Sequence, residues 1–244
     1  MIGEQLEPEA PTSFSDADTT PPLETADLRS NLQSFLDSEA HRSSDRGRKI
    51  GDFKWGVYAF YDYDGEPIYV GQTNEKLRTR IRRHLTNQRT DAVAMSVLDP
   101  FEVLDIEVWP LEQYENTRAS DKEAKLNLNA LERAITGRLI QASFFGAVLN
   151  EKDPPPGELI VDEPPAYRGR LVSPQVHRLR SHPDFRIARR ALIVSRLAQR
   201  ISERKVAGGL RRVMVTQAKR LEWLASRRYQ ALGGAASVDE APER

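Results

Sequence analysis

Apolar residues follow two different periods along this chain, and the alternation between them lays out the fold. Leu28, Leu32, Phe35 and Leu36 recur at helical spacing, which predicts a short amphipathic helix over 27–39. From Trp55 to Tyr61 aromatic and β-branched residues dominate, and Asp64-Gly65 follows as a turn dipeptide. The return strand runs from Pro67 to Val70, with Pro67 expected at the strand's start or on an edge because it has no amide hydrogen. Asn74 is the expected cap of a helix from Glu75 to about Asn87. Between Glu102 and Trp109 the chain alternates again, with Leu104, Ile106 and Val108 on one face of a third strand. Ser120-Asp121-Lys122-Glu123 reads as a capping box with Ser120 at the N-cap, opening a helix that runs to about Phe145. Its apolar stripe is Leu128, Leu131, Ile135, Leu139 and Ala142.

The order β-β-α-β-α predicts an α+β fold in which a small three-stranded sheet is flanked by helices. The chain divides in this reading into an acidic disordered tail (1–26), a short helix and connector (27–49) and a compact domain (50–153). A proline-rich linker (154–165), a basic helical region (166–232) and a second disordered tail (233–244) follow. Gly208-Gly209 is expected to break the helical region into at least two pieces.

Composition narrows the function classes. The chain has 244 residues, of which 39% are hydrophobic and 30% charged, so a real core is possible. There is no cysteine, which rules out disulfides and thiolate metal sites and suits a reducing compartment. No apolar run approaches the roughly 20 residues of a membrane span. The N-terminus lacks the basic and apolar regions of a signal peptide, so a cytoplasmic location is expected.

The net charge of zero conceals a strong asymmetry. Met1 to Ala40 carries nine acids against Arg29 alone. Pro165 to Leu232 carries seventeen basic residues against three acids, an excess of fourteen positive charges. An excess of that size points to a polyanion partner, namely nucleic acid.

Candidate chemistry lies on the two helices of the compact domain. At 100° per residue, Leu77 and Ile81 form the apolar stripe of the first, and Arg80 and His84 lie beside it one turn apart. Arg78, Arg82 and Arg83 face other directions, open to solvent or phosphate. On the longer helix Glu132 sits at the edge of the apolar stripe, where a carboxylate is partly desolvated and needs a cation or a metal. Taken singly, each has an ordinary reading: His84 as a surface histidine, Glu132 as half of an ion pair, Asn150 as a turn or capping residue.

Taken together they have another. Gly56-Val57-Tyr58, Tyr69-Val70-Gly71, Leu77 with Arg80 three residues on, His84, Glu132 and Asn150 resemble the motif series of the GIY-YIG nuclease superfamily. The Arg-x-x-x-His spacing is similar to its restriction-type branch. Both tripeptides carry Val where the family has Ile. The resemblance spans about Trp55 to Lys152.

That resemblance implies DNA phosphodiester hydrolysis with one divalent ion, Mg²⁺ or Mn²⁺. Tyr58 would lie beside the attacking water, Tyr69 and Arg80 beside the scissile phosphate, and Glu132 on the metal. The base is left open between Tyr58, since an unperturbed phenol titrates near 10, and His84, since an ordinary imidazole titrates near 6.5. Arg78, Arg82, Arg83, Arg189, Arg190, Arg211 and Arg212 are candidate DNA contacts. A homodimer is compatible with this reading. A restriction or mobile-element context is expected, with a DNA repair or recombination nuclease or a catalytically inactive nucleic-acid-binding module as the alternatives, and the recognition sequence is not legible.

Overall fold

The structure, a computed structural model of the chain, describes residues 21–43, 47–86, 97–157 and 159–234. Six α-helices, three short 3-10 turns and one antiparallel sheet account for its regular structure among these residues. The sheet has four strands, β1 (Gly56–Tyr61), β2 (Pro67–Thr73), β3 (Asp105–Pro110) and β4 (Tyr167–Arg170), in the order β2-β1-β3-β4.

The hairpin that carries both tripeptides is closed by Asp62. Its Oδ1 accepts from the amides of Asp64 (2.8 Å) and Glu66 (3.0 Å), and Gly65 supplies the left-handed residue (φ 78°) that the loop requires. Pro67 opens β2 on the edge of the sheet, where a missing donor costs nothing. That edge is then covered from outside: the Leu149 amide donates to the Ile68 carbonyl at 2.8 Å.

A fourth strand corrects the expectation of three. It lies beyond the prolines, has only four residues and carries no apolar alternation, so the pattern could not reveal it. Other forces hold it. Arg168 and Arg170 pair with Asp105 on β3, and the Arg168 guanidinium covers the Tyr61 ring at 4.0 Å. Gly169 lies flat under the ring of Phe35, where a Cβ would collide.

Phe35 belongs to α1 (Leu23–Asp37), which buries Leu28, Leu32, Phe35 and Leu36 as its spacing predicts. The acidic tail expected over 1–26 falls outside the described residues as far as residue 20. The helix α2 (Leu77–Leu85) starts two residues later than expected, and Asn74 does not cap it. Thr73 and Glu75 instead close a local turn through the Thr73 hydroxyl, while the Asn74 amide donates to the Ala119 carbonyl. The helix α3 (Lys122–Ala142) is capped by Asp121 rather than Ser120. The Asp121 carboxylate accepts from the Ala124 amide at 2.9 Å, and an anion is the stronger partner at a helix N-terminus. Its far end stops at Ala142, short of Phe145, because Glu66 captures the Phe144 amide and the Ser143 hydroxyl.

Each sheet face has its own core. α3 covers one face, packing Leu128, Leu131, Ile135 and Leu139 on Val57, Ala59, Val70 and Trp109. The other face carries Tyr58, Phe60, Ile106 and Val108 and is covered by α1, α2 and the C-terminal helices. Those helices are α4 (Pro174–Arg180), α5 (Pro183–Glu203) and α6 (Gly208–Ala231); the break falls at 204–207, and Gly208-Gly209, expected to form it, instead opens α6.

The C-terminal helices reach the hairpin through charge. Asp62 is wholly buried and binds Arg190 (2.9 Å) and Arg220. Arg190 also binds Glu102 at 3.1 Å and donates to the Arg220 carbonyl. Arg186 holds Asp64. Burial pushes the Glu102 carboxyl above its ordinary range while Arg190 and Arg186 pull against that shift. Among the described residues no helix is long and apolar enough to cross a membrane.

Removing one partner of such a cluster strands the others in a dry interior, at a cost of about 3–5 kcal/mol. Asp62→Ala should therefore lower unfolding free energy by about that amount in urea titrations, whereas Arg211→Ala, at an exposed site, should change it by under about 0.5 kcal/mol. Deleting residues from Pro165 onward removes β4 and all three arginines together. The shortened chain should be recovered insoluble, or without a cooperative thermal transition.

Candidate active site

The two tripeptides meet because β1 and β2 pair with Tyr58 opposite Gly71 and Phe60 opposite Tyr69. Tyr58 and Tyr69 thus project from the same sheet face, their ring centres 6.3 Å apart. Gly71 makes this possible. A Cβ there would come within 2.6 Å of the Tyr58 ring carbon and hydroxyl and 2.9 Å of the Tyr69 ring, so the phenols occupy the space a side chain would take.

Helix α2 lies across this face and delivers His84, whose ring is 5.2 Å from Tyr69 and 5.9 Å from Tyr58. His84 is buried, in contrast to its ordinary reading as a surface residue. One turn earlier Arg80 is half-buried, with its positive charge set against both phenols. Asn150 follows α3 and is committed to the backbone of the second tripeptide. Its amide nitrogen donates to the Val70 carbonyl at 2.6 Å, and its oxygen accepts from the Val70 amide at 3.0 Å. It pairs there with the backbone of Val70, the residue next to Tyr69, on the outer edge of β2.

Glu132 comes from the middle of α3 and is 9% exposed, with no ion pair among the described residues. Burial pushes its carboxyl up to about 7, and only the Arg80 charge works against this. Tyr58 is driven well above the ordinary phenol range, chiefly by burial and further by the neighbouring Tyr69, with Arg80 opposing. Arg80 is therefore the cation shared by one carboxylate and two phenols.

Residues 54–127 match the family model described as the GIY-YIG catalytic domain. Over this segment the chain is similar to the GIY-YIG catalytic domain. The match takes in both tripeptides, Arg80 and His84 and stops before Glu132, on which the Arg80 charge acts, and Asn150, which bonds to Val70. It covers under a third of the chain. No curated protein and no solved structure matches the chain. The match supports a hydrolase of the nuclease class in general.

The other arginines divide sharply. Arg78 clips α2 to α1 through Asp37 (2.7 Å) and the Leu36 carbonyl, and Arg83 pairs with Glu75 at 2.8 Å. Arg189 binds Asp99, Arg190 is buried on Asp62 and Glu102, and Arg212 pairs with Asp153 on the surface. Among the described residues Arg82 and Arg211 are in no ion pair. Helical spacing alone cannot tell an arginine that meets solvent from one that meets a distant carboxylate.

Sequence reasoning overlooked a groove of about 350 Å³ next to Arg80, lined by Gln72, Asn74, Lys125 and Asn129 among others. Its one available signal was the i, i+4 spacing of Lys125 and Asn129 on α3, the helix that carries Glu132.

A carboxyl whose folded value lies above its unfolded value of about 4.5 favours the folded state at low pH, and that contribution is lost as pH rises from 4.5 through about 7. At pH 8 Glu132 is a buried anion and a liability. Glu132→Gln should accordingly raise thermal stability at pH 8 in metal-free buffer, by on the order of a few kcal/mol, and change it little at pH 4. Melting curves at the two pH values check this.

Proposed function

We propose that the protein is a divalent-metal-dependent DNA endonuclease acting in restriction or mobile-element defence, in a cytoplasmic setting. The observation that carries this reading is the gathering of Tyr58, Tyr69, Arg80 and His84 on one sheet face, with the desolvated Glu132 reaching the Arg80 charge from the helix on the other face.

The chain's own residues fit a hard cation. Among the described residues no cluster of three or more histidines and acids exists, so the protein would offer a single carboxylate, Glu132. Mg²⁺ is commonly held this way, with water and phosphate oxygens completing its shell. Mg²⁺ or Mn²⁺ there would supply Lewis-acid stabilisation of the charge that develops on the phosphate.

Arg80 would bracket the phosphate with directed, charge-assisted donors, a reading supported by the action of its charge on both Glu132 and the phenols. Tyr69 adds a phenolic donor. Burial keeps Tyr58 a neutral phenol in the free protein, which suits orienting the attacking water better than deprotonating it. That shifts the base role toward His84, edge-on to Tyr58. Asn150 acts at one remove, as a positioning residue for Tyr69.

Glu132→Gln should abolish plasmid cleavage in Mg²⁺ while retaining DNA binding. Near-normal turnover would remove Glu132 from the metal. Binding without cleavage by the wild-type protein would instead make it a nucleic-acid-binding module, and sequencing the ends of cleavage products would separate restriction from repair activity. Arg80→Ala should reduce turnover by about a hundredfold, equivalent to roughly 3 kcal/mol of transition-state stabilisation, and Arg83→Ala by far less. Both variants lose one positive charge, so equal losses would leave only a diffuse electrostatic effect.

A further inference from the structure

Helix α3 carries a polar stripe that its apolar face does not explain. Lys125, Asn129, Glu132 and Thr136 fall at i, i+4, i+7 and i+11, within about 60° of one another around the helix axis. Glu132 lies inside this stripe, and a groove opens on each side of it. Toward the N-terminus lies the groove of Arg80, Lys125 and Asn129. Toward the C-terminus lies a second, of about 230 Å³, lined by Thr136, Asn150, Lys152, Asp153 and Arg212 among others.

Both grooves hold cations in states open to a new partner. Lys125 and Lys152 are exposed and in no ion pair among the described residues. Arg212 is paired only with Asp153, whose side chain is 75% exposed, and an exchange of partner there costs little. Donors are also spare. Asn129 uses its oxygen to accept from Gln72, which leaves its amide hydrogens, and the Thr136 hydroxyl is buried without a hydrogen bond.

We propose that the cleaved strand runs along the axis of α3, with backbone phosphates held in both grooves. Lys125 and Asn129 would take a phosphate on one side of the scissile bond, and Lys152, Arg212 and Thr136 one on the other. The stripe is about 16 Å long by helical rise, roughly five base steps of about 3.4 Å. The assignment rests on the nuclease reading above and adds to it the direction of the strand and the residues flanking the cut. The ligand is a phosphodiester of the bound strand. The long separation in sequence of Lys125, Lys152 and Arg212 makes the track a property of the fold.

The experiment uses full-length protein and oligonucleotide duplexes in which single phosphates around the cut are replaced by neutral methylphosphonates. Wild-type protein should show two sensitive positions besides the scissile phosphate, one on each side, where KM rises about tenfold. Lys125→Ala should lose sensitivity at one of them only. The Lys152→Ala, Arg212→Ala double variant should lose it at the other only. In direct binding without Mg²⁺, each cation removed should lower the salt slope by about 1. Exposed Arg204→Ala is the control for diffuse charge and should leave both positions sensitive. Unchanged sensitivity in both variants, or a uniform fall at all positions, overturns the track. Inhibition by inorganic phosphate that the variants abolish, without position dependence, overturns the assignment to the strand. A wild-type protein that cleaves nothing refutes the nuclease reading itself, an outcome distinct from these.

Discussion

Asp62 holds the hairpin and the C-terminal helices in one arrangement. The same side chain shapes the β1–β2 loop with one oxygen and binds Arg190 and Arg220 with the other. A buried carboxylate repays its desolvation only when geometry and additional hydrogen bonds are good, so this cluster tolerates little displacement of any member. The position of Tyr58 and Tyr69 is set at one end of their strands by this charge cluster. At the outer edge it is set by Asn150 and Leu149, and underneath by the missing side chain of Gly71. Apolar packing supplies most of the affinity between layers, but the polar contacts decide the register.

This changes the meaning of the basic C-terminal region. Its excess charge has the look of a nucleic-acid-binding surface in one dimension. In three dimensions much of it is internal neutralisation: Arg180 meets Glu24, Arg186 meets Asp64, Arg189 meets Asp99 and Arg190 meets Asp62. Acids of the hairpin, of α1 and of the segment before β3 balance arginines more than eighty residues away. Lysines, with compact and strongly hydrated charges, are left on the outside of the site at Lys125 and Lys152.

The parts of this molecule written in local pattern were legible in the sequence. α1, the β1–β2 hairpin, β3 and α3 all follow periodicity, and the tripeptides with Arg80 and His84 follow a motif whose spacing the secondary structure preserves. Helix ends were less legible, because Asn74, Ser120 and Asp121 all have capping chemistry and the choice among them was made by Thr73, Ala119 and the helix dipole. β4 was invisible because its stability comes from Asp105, Phe35 and Tyr61 rather than from its own residues. The buried state of Glu132 was inferable from its place on the helix edge, while the commitment of Asn150 to Val70 and the twin grooves required the packing of α3 against an edge strand.

The span between Asp62 and Arg220 has a consequence for how the protein is made. The hairpin with both phenols leaves the ribosome early, yet its last guanidinium partner is 158 residues downstream. Contacts of such long sequence separation form late and slowly. Until α6 has emerged, Asp62 lacks one of its counter-charges and the phenols rest on an unfinished support. The surface that carries the two phenols thereby gains its full support only once α6 has folded onto it.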